Sequence, residues 1–356
     1  MTSNWLMQSL DDHRGERMAG GEWDDLEARI SRSIDAYHEA ALVYAAVKLG
    51  LPDRLALEVA TASELAKTFG LSAPYLARFL GGLCSIGICE ELPDGAFALT
   101  RGGRALCSGA PSRLAEKVQI VVGQYWWPWA NFQSNLTTGK PAFEQCFGMR
   151  VSDWRAKHAG QGALFDAFLA KETLAQAGPI VDALDLSGAK VVADIGGGYG
   201  GLLAALLKAH PQIEGILLDR PHILAAAKPF LQAQEVVERV RLETGDLLTK
   251  IPVAANIYLL KGVLQQWDDA ETRTILENCR KAMSPSAKLM IIERLMPERA
   301  DDDPAAIMLD LHMMTITGGR ARSLAEFETL LSQTRLKQAK ATSTLLGLTI
   351  IEAVPA

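Results

Sequence analysis

Hydrophobic positions along the chain change their period twice. Over residues 22–49 they recur at helical spacing, at Leu26, Ile30, Ile34, Tyr37, Ala41, Tyr44 and Val47, which predicts one long helix. Between Ser63 and Leu99 the segments shorten. Ser63 and Glu64 open a helix that Gly70 closes, and Ser72 with Pro74 opens a second. "ICEELPDGAFALT" then reads as two short strands about the Pro93-Asp94-Gly95 turn. Helix, turn, helix, hairpin is a winged-helix order. From Lys190 onward apolar runs at 190–195, 215–219, 240–244, 256–260 and 288–293 alternate with helical patterns, and 336–339 and 348–353 form a terminal antiparallel pair. This alternation predicts an α/β architecture, a mostly parallel, doubly wound, Rossmann-like sheet. The expected organisation is a flexible N-terminus at 1–21, a winged-helix domain at 22–110, a helical linker at 111–180 and the α/β domain at 181–356.

Composition narrows the function classes. Of 356 residues, 49% are hydrophobic and 22% charged, the balance of an ordinary globular protein. The absence of any run of 18 apolar residues excludes a spanning helix. The N-terminus lacks a cationic start followed by an apolar core, so a cytoplasmic location is expected. Cys84, Cys89, Cys107, Cys146 and Cys279 make an odd count without CxxC spacing, which suits free thiols in a reducing compartment. Six histidines lack HxH or HExxH pairing, so no metal is expected. The second winged-helix helix, 73–85, carries one cation, Arg78, and the hairpin carries Glu90, Glu91 and Asp94 with no cation before Arg101. A duplex reader neutralises several phosphates. The module therefore reads as a packing or dimerisation unit, with no nucleic-acid partner.

The strongest local signal is "VVADIGGGYGGLLAALL", where a strand ends at Asp194 and five glycines lie within residues 196–201. Glycine permits close backbone approach to a ligand. Gly196, Gly198 and Gly201 satisfy GxGxxG, so a dinucleotide is one reading. Asp194 weighs against it, because a carboxylate there repels a pyrophosphate and attracts an ammonium. Asp219 closes the next strand, placed to accept ribose hydroxyls, and Gly245-Asp246 closes the third near an adenine edge. A ligand with an amino acid at one end and adenosine at the other suits all three positions, and S-adenosylmethionine is that ligand.

The stretches "VADIGGGYG", "GILLDRPHI", "GDLL", "YLLKGVLQQWDD", "IIERLMP" and "LDLHMMTITGGRARSLAEF" together resemble the plant-type small-molecule O-methyltransferase family, which includes bacterial enzymes acting on aromatic natural products. The resemblance runs from about residue 22 to the end. It implies that Gly196 and Gly198 line the methionine part of the cofactor, Asp219 holds the ribose, Asp246 and Leu247 flank the adenine, and Lys261 closes the loop beside it. It also implies a homodimer through the N-terminal domain and a small-molecule acceptor. The acceptor pocket is expected at Trp126, Trp129, Phe147, Phe165, Phe168, Asp310 and Met313. The aromatic cluster "YWWPWANF" admits a plain core reading as well.

One position departs from the family. "LQQW" stands where the pattern is Leu-His-Asp-Trp, so Gln265 replaces the histidine that deprotonates the acceptor. An amide carries no titratable proton. Ala321 stands where plant members often have a second glutamate. The candidates left are Gln265 as an orienting group, Glu293 at a strand end, and His312, which is either the base or a surface or core histidine without a catalytic role. The expected activity is methylation of a hydroxylated aromatic or polyketide-like molecule, O-methylation foremost, by proximity to an already acidic acceptor. The rivals are N- or C-methylation, or a cofactor-retaining reaction such as hydroxylation or cyclisation, since some bacterial relatives also lack the histidine.

Overall fold

The computed structural model describes residues 20–356, with side chains from Asp25. Residues 1–19 of the N-terminus expected to be flexible lie outside the described residues. The chain forms two compact units that divide between Val122 and Gly123. The segment expected as a linker is thus shared, its first twelve residues falling in the smaller unit.

In the smaller unit the long helix spans Gly20–Leu49. Its apolar positions Ile30, Ile34 and Tyr37 are 52%, 66% and 53% exposed, and Ala46 is the first buried residue among those whose side chains are described. Helices Leu51–Leu57, Ala62–Phe69 and Ala73–Ser85 follow, then the predicted hairpin, Cys89–Glu91 (β2) with Ala96–Leu99 (β3). A two-residue strand that the sequence pattern did not show, Ala60–Thr61 (β1), pairs with β3. The helix start also differs from expectation. Thr61, not Ser63, is the cap: its side chain accepts from Glu64 N at 3.3 Å, while Glu64 Oε2 accepts from Thr61 N at 2.8 Å. This reciprocal box satisfies two otherwise orphaned donors. Leu65, Leu76, Leu80 and Leu83 close the core.

The larger unit is built on seven strands: β4 (Val191–Ile195), β5 (Glu214–Asp219), β6 (Val240–Thr244), β7 (Ile257–Lys261), β8 (Lys288–Glu293), β9 (Leu336–Ser343) and β10 (Thr349–Pro355). Their order is β6-β5-β4-β7-β8-β10-β9. The first five are parallel, and β10 runs antiparallel between β8 and β9. The apolar runs are continuous because both faces are covered. Val192, Leu217, Leu259 and Met290 pack on one side. Ala193, Leu218, Leu260 and Ile291, one residue further along each strand, pack on the other. Each wholly buried leucine contributes about 1.5–3 kcal/mol. Helix Ala159–Ala183 lies so close to the start of helix Gly201–Ala209 that a Cβ on Gly201 would stand 2.5 Å from Ala170 O. That contact brings the middle of the long helix to the ends of β4 and β7.

Candidate active site

β4 is flanked by β5 on one side and β7 on the other, and sheets of this kind bind ligands at the carboxyl ends of the strands where the order reverses. There the chain turns through Gly196, Gly198 and Gly200 at φ of 69°, 61° and 82°. A Cβ on Gly197 would stand 2.4 Å from Asp194 Oδ2, whereas one on Gly198 would meet nothing within 4 Å. The loop therefore rests on the Asp194 carboxyl and turns its outer backbone to open space. Asp219 ties the next strand end to this loop, Oδ2 accepting from Gly198 N at 2.9 Å and Oδ1 from Arg220 N at 2.7 Å. Gly245 N bonds Asp219 O at 3.2 Å. Leu247 is half-buried and would lie 3.4 Å from a Cβ on Gly196. The exposed Asp246 turns Oδ1 to Leu248 N at 3.0 Å. From β7, Lys261 reaches across to donate to Thr173 Oγ1 at 3.1 Å.

The crevice is acidic by construction. Asp194 is 2% exposed. Burial first, then repulsion from Asp219, pushes its carboxyl up to about 7, against the pull of Lys261. Burial also raises Asp219 despite its two backbone bonds. Two acids that disfavour each other's charge suit a ligand bearing a cation and a diol and oppose a pyrophosphate. S-adenosylmethionine, which carries both an ammonium and a ribose diol, fits these acids.

Next to this crevice the "LQQW" stretch forms a single 3-10 turn, Leu264–Gln266, held on both sides. Glu293, at the end of β8 and 2% exposed, accepts from Leu264 N at 2.9 Å and from Gln265 N at 3.3 Å through one oxygen, Oε1. Arg322, 1% exposed, donates to Leu264 O at 3.0 Å and to Trp267 O at 2.9 Å, and pairs with Asp269 at 2.8 Å. Gly319 closes a third side: any Cβ there would fall 2.2 Å from Gln265 O. Burial raises Glu293 to about 7, opposed by its two backbone donors, Arg322 and Lys261. Gln265 is half-buried. Gln266 is exposed and spends its amide on Gly262 O at 2.8 Å. Ala321 is buried, and its N–H goes to Asp310 Oδ1 at 2.8 Å.

Of the remaining expected pocket residues, Trp129 and Phe165 are linked through His312, Tyr125 and Arg155. Trp129 donates through Nε1 to His312 Nδ1 at 3.2 Å and stacks on Phe132 at 5.5 Å. The neutral ring therefore carries its proton on Nε2, and its one lone pair is already engaged. Burial, aided by the Arg155 charge, lowers His312 to about 4. Trp126 and Phe168 are half-buried, and Met313 is 8% exposed. Phe165 lies under the Arg155 guanidinium, 3.3 Å from carbon to ring centroid. Phe147 packs on Phe143 at 4.6 Å and Trp154 at 5.4 Å. It also lines an open cleft of about 440 Å³ with Trp127, Asn131, Ser134, Gln145 and Cys146, which includes none of the crevice residues. The strand-end crevice, not this cleft, carries the groups suited to chemistry. Arg155 and Thr173, lone polar residues on helices, were missed in the sequence, and Arg322 lies within the stretch "LDLHMMTITGGRARSLAEF" without a role having been read for it.

The chain is similar to known O-methyltransferases. Residues 129–336 match the O-methyltransferase domain. A phenazine O-methyltransferase from Lysobacter antibioticus is 35% identical over 330 residues, 93% of this chain and 96% of that protein. The structure of the mitomycin 7-O-methyltransferase has a TM-score of 0.87 at 29% identity, covering 95% of this chain and 100% of its own. An O-methyltransferase from neocarzinostatin biosynthesis, solved with S-adenosylmethionine and 2-hydroxy-5-methyl naphthoic acid, has a TM-score of 0.79 at 27% identity, covering 89% and 96%. The match spans more than half of this chain, and the Lysobacter relative nearly all of it: the chain belongs to the O-methyltransferase family.

Proposed function

We propose that this methyltransferase uses S-adenosylmethionine to methylate a hydroxyl of an aromatic or polyketide-like small molecule in secondary metabolism, and that it does so by positioning rather than by a proton-carrying side chain at residue 265. The observation that carries the reading is the Leu264–Gln266 turn. Glu293 holds its N–H groups, Arg322 its carbonyls, and Gly319 leaves it no room to shift. A turn fixed this firmly presents the Gln265 amide as an orienting group. The bound cofactor supplies an electrophilic methyl on a sulfonium. The protein then needs only to hold the attacking oxygen close and in line, a term worth about 7–11 kcal/mol for well-aligned groups. A general base adds only about 10²–10⁴-fold, and an acidic acceptor gives most of that itself. Glu293 is a positioning residue in this reading, since its acceptor oxygen faces backbone.

The long helix Gly20–Leu49 supports a homodimer. Ile30, Ile34 and Tyr37 stand exposed at helical spacing, an apolar stripe that a second copy would cover. No described helix is long and apolar enough to cross a membrane, and a cytoplasmic site of action accords with five free cysteines.

Incubation with methyl-labelled cofactor and a panel of phenolic, naphtholic and polyketide acceptors tests the reading. Label on an oxygen of the product supports it. Label on nitrogen or carbon replaces O-methylation with that transfer, and an altered but unlabelled product points to the cofactor-retaining alternative.

A further inference from the structure

Arg155 lies in an environment that holds its guanidinium through neutral hydrogen-bond acceptors. Helix Val151–Lys157 carries it. Nε donates to Gln124 Oε1 at 3.0 Å and Nη2 to Tyr125 Oη at 2.8 Å. The Phe165 ring supports it from below at 3.3 Å. Gln124, 1% exposed, is fixed in turn by its Nε2 bonds to Gln161 O at 3.1 Å and Gln161 Oε1 at 3.3 Å. Both hydrogen-bond partners of the guanidinium are neutral. Burial is the largest influence on it and works against its charge. Asp166, whose charge supports that of Arg155, is raised to about 6 by burial, against the pull of Arg155.

Burying a charge against neutral partners is costly unless an opposite charge arrives to meet it. The planar fork of arginine suits a carboxylate bidentately. His312 packs against the same tyrosine, its ring edge-on to Tyr125 at 4.7 Å. With Nδ1 accepting from Trp129, it offers only Nε2–H, a second donor. Arginine fork and imidazole N–H thus adjoin one aromatic ring, the fork bonded to neutral oxygens.

We propose that Arg155, with His312 as the neighbouring donor, binds a carboxylate on the acceptor, so that the natural acceptor is a hydroxylated aromatic acid. This rests on the small-molecule acceptor reading above and adds the functional group it must bear. His312 then acts as a recognition donor and not as the base.

The test is calorimetric titration of enzyme saturated with S-adenosylhomocysteine, using 3-hydroxy-2-naphthoate against its methyl ester and salicylate against methyl salicylate. The acid of at least one pair should bind ten or more times tighter than its ester. Arg155→Gln should bring that ratio to within about threefold, and His312→Phe should lower it several-fold. The thermal shift given by S-adenosylhomocysteine should remain in both variants, since neither residue belongs to the cofactor crevice. Should Arg155→Gln not fold, Arg155→Lys keeps the charge and loses the fork, and the ratio should still fall at least threefold. Equal binding of acid and ester, no binding by either acid, or an unchanged ratio in the arginine variants would overturn the proposal. The outcome is separable from that of the methyl-transfer reading, because label transfer to uncharged phenols with no acid preference would uphold the one and sink the other.

Discussion

Replacing Glu293 by glutamine separates a group that holds the turn from one that moves a proton. The carboxyl is 2% exposed and accepts from two backbone amides through Oε1. Glutamine keeps an oxygen for both and stays neutral at every pH. Burial raises Glu293 from the ordinary 4.5 to about 7. A raised acid contributes stability that is complete below the unfolded value and is lost as pH climbs through the folded one, here between 4.5 and about 7. The gap is worth roughly 3 kcal/mol. Wild type should therefore lose stability relative to Glu293→Gln between pH 5 and pH 8, read as a change in the difference between their thermal midpoints. Glu293→Ala instead leaves two buried donors without an acceptor, at about 1–3 kcal/mol each, and should be the least stable of the three at pH 5. If Glu293 only positions the turn, the glutamine variant should turn over within about threefold of wild type. A loss of about 10²-fold, with folding and cofactor binding intact and one limb of the pH–rate profile gone, would refute the positioning argument and make Glu293 the base.

The other predictions concern the cofactor and the N-terminal unit. S-adenosylhomocysteine should raise the thermal midpoint while NAD and NADP do not, and Asp219→Ala should remove most of the shift, because it deletes a charged acceptor worth about 1.5–3 kcal/mol. Affinity for S-adenosylhomocysteine should rise between pH 6 and pH 8 as Asp194 ionises through about 7. Asp194→Asn should be weak and flat over that range, and a wild-type curve equally flat would show that the ammonium is held elsewhere. Duplex DNA should not be retarded at physiological salt, since helix Ala73–Ser85 offers Arg78 as its one cation; sequence-selective, sub-micromolar retardation would contradict the packing-module reading.

The parts of this molecule legible in the sequence are those where one local pattern decides the outcome. Apolar runs such as Tyr258–Leu259–Leu260 marked buried parallel strands, because a strand covered on both faces needs no polar alternation. The glycines after Asp194 marked the crevice, because only glycine tolerates a carboxylate directly beneath it, as at Gly197. Edges were less legible. β1 has two residues and exists only through its pairing with β3, and the cap fell on Thr61 because its reciprocal bond with Glu64 outweighs the nearer Ser63. Arg322 and Arg155 had no readable role for another reason. Each acts on groups more than thirty positions away, Arg322 on Leu264 and Trp267, Arg155 on Gln124, and no spacing rule registers a partner that only folding brings near.

The most direct test of the central claim is the pH–rate profile of the wild-type enzyme, measured by transfer of labelled methyl to a series of accepted hydroxyl compounds that differ in acidity. If positioning carries the reaction and Gln265 bears no proton, the rising limb should track the ionisation of each acceptor and move with it along the series. A rising limb fixed at one pH for every acceptor would mean that a group of the protein takes the proton, and the account would be wrong.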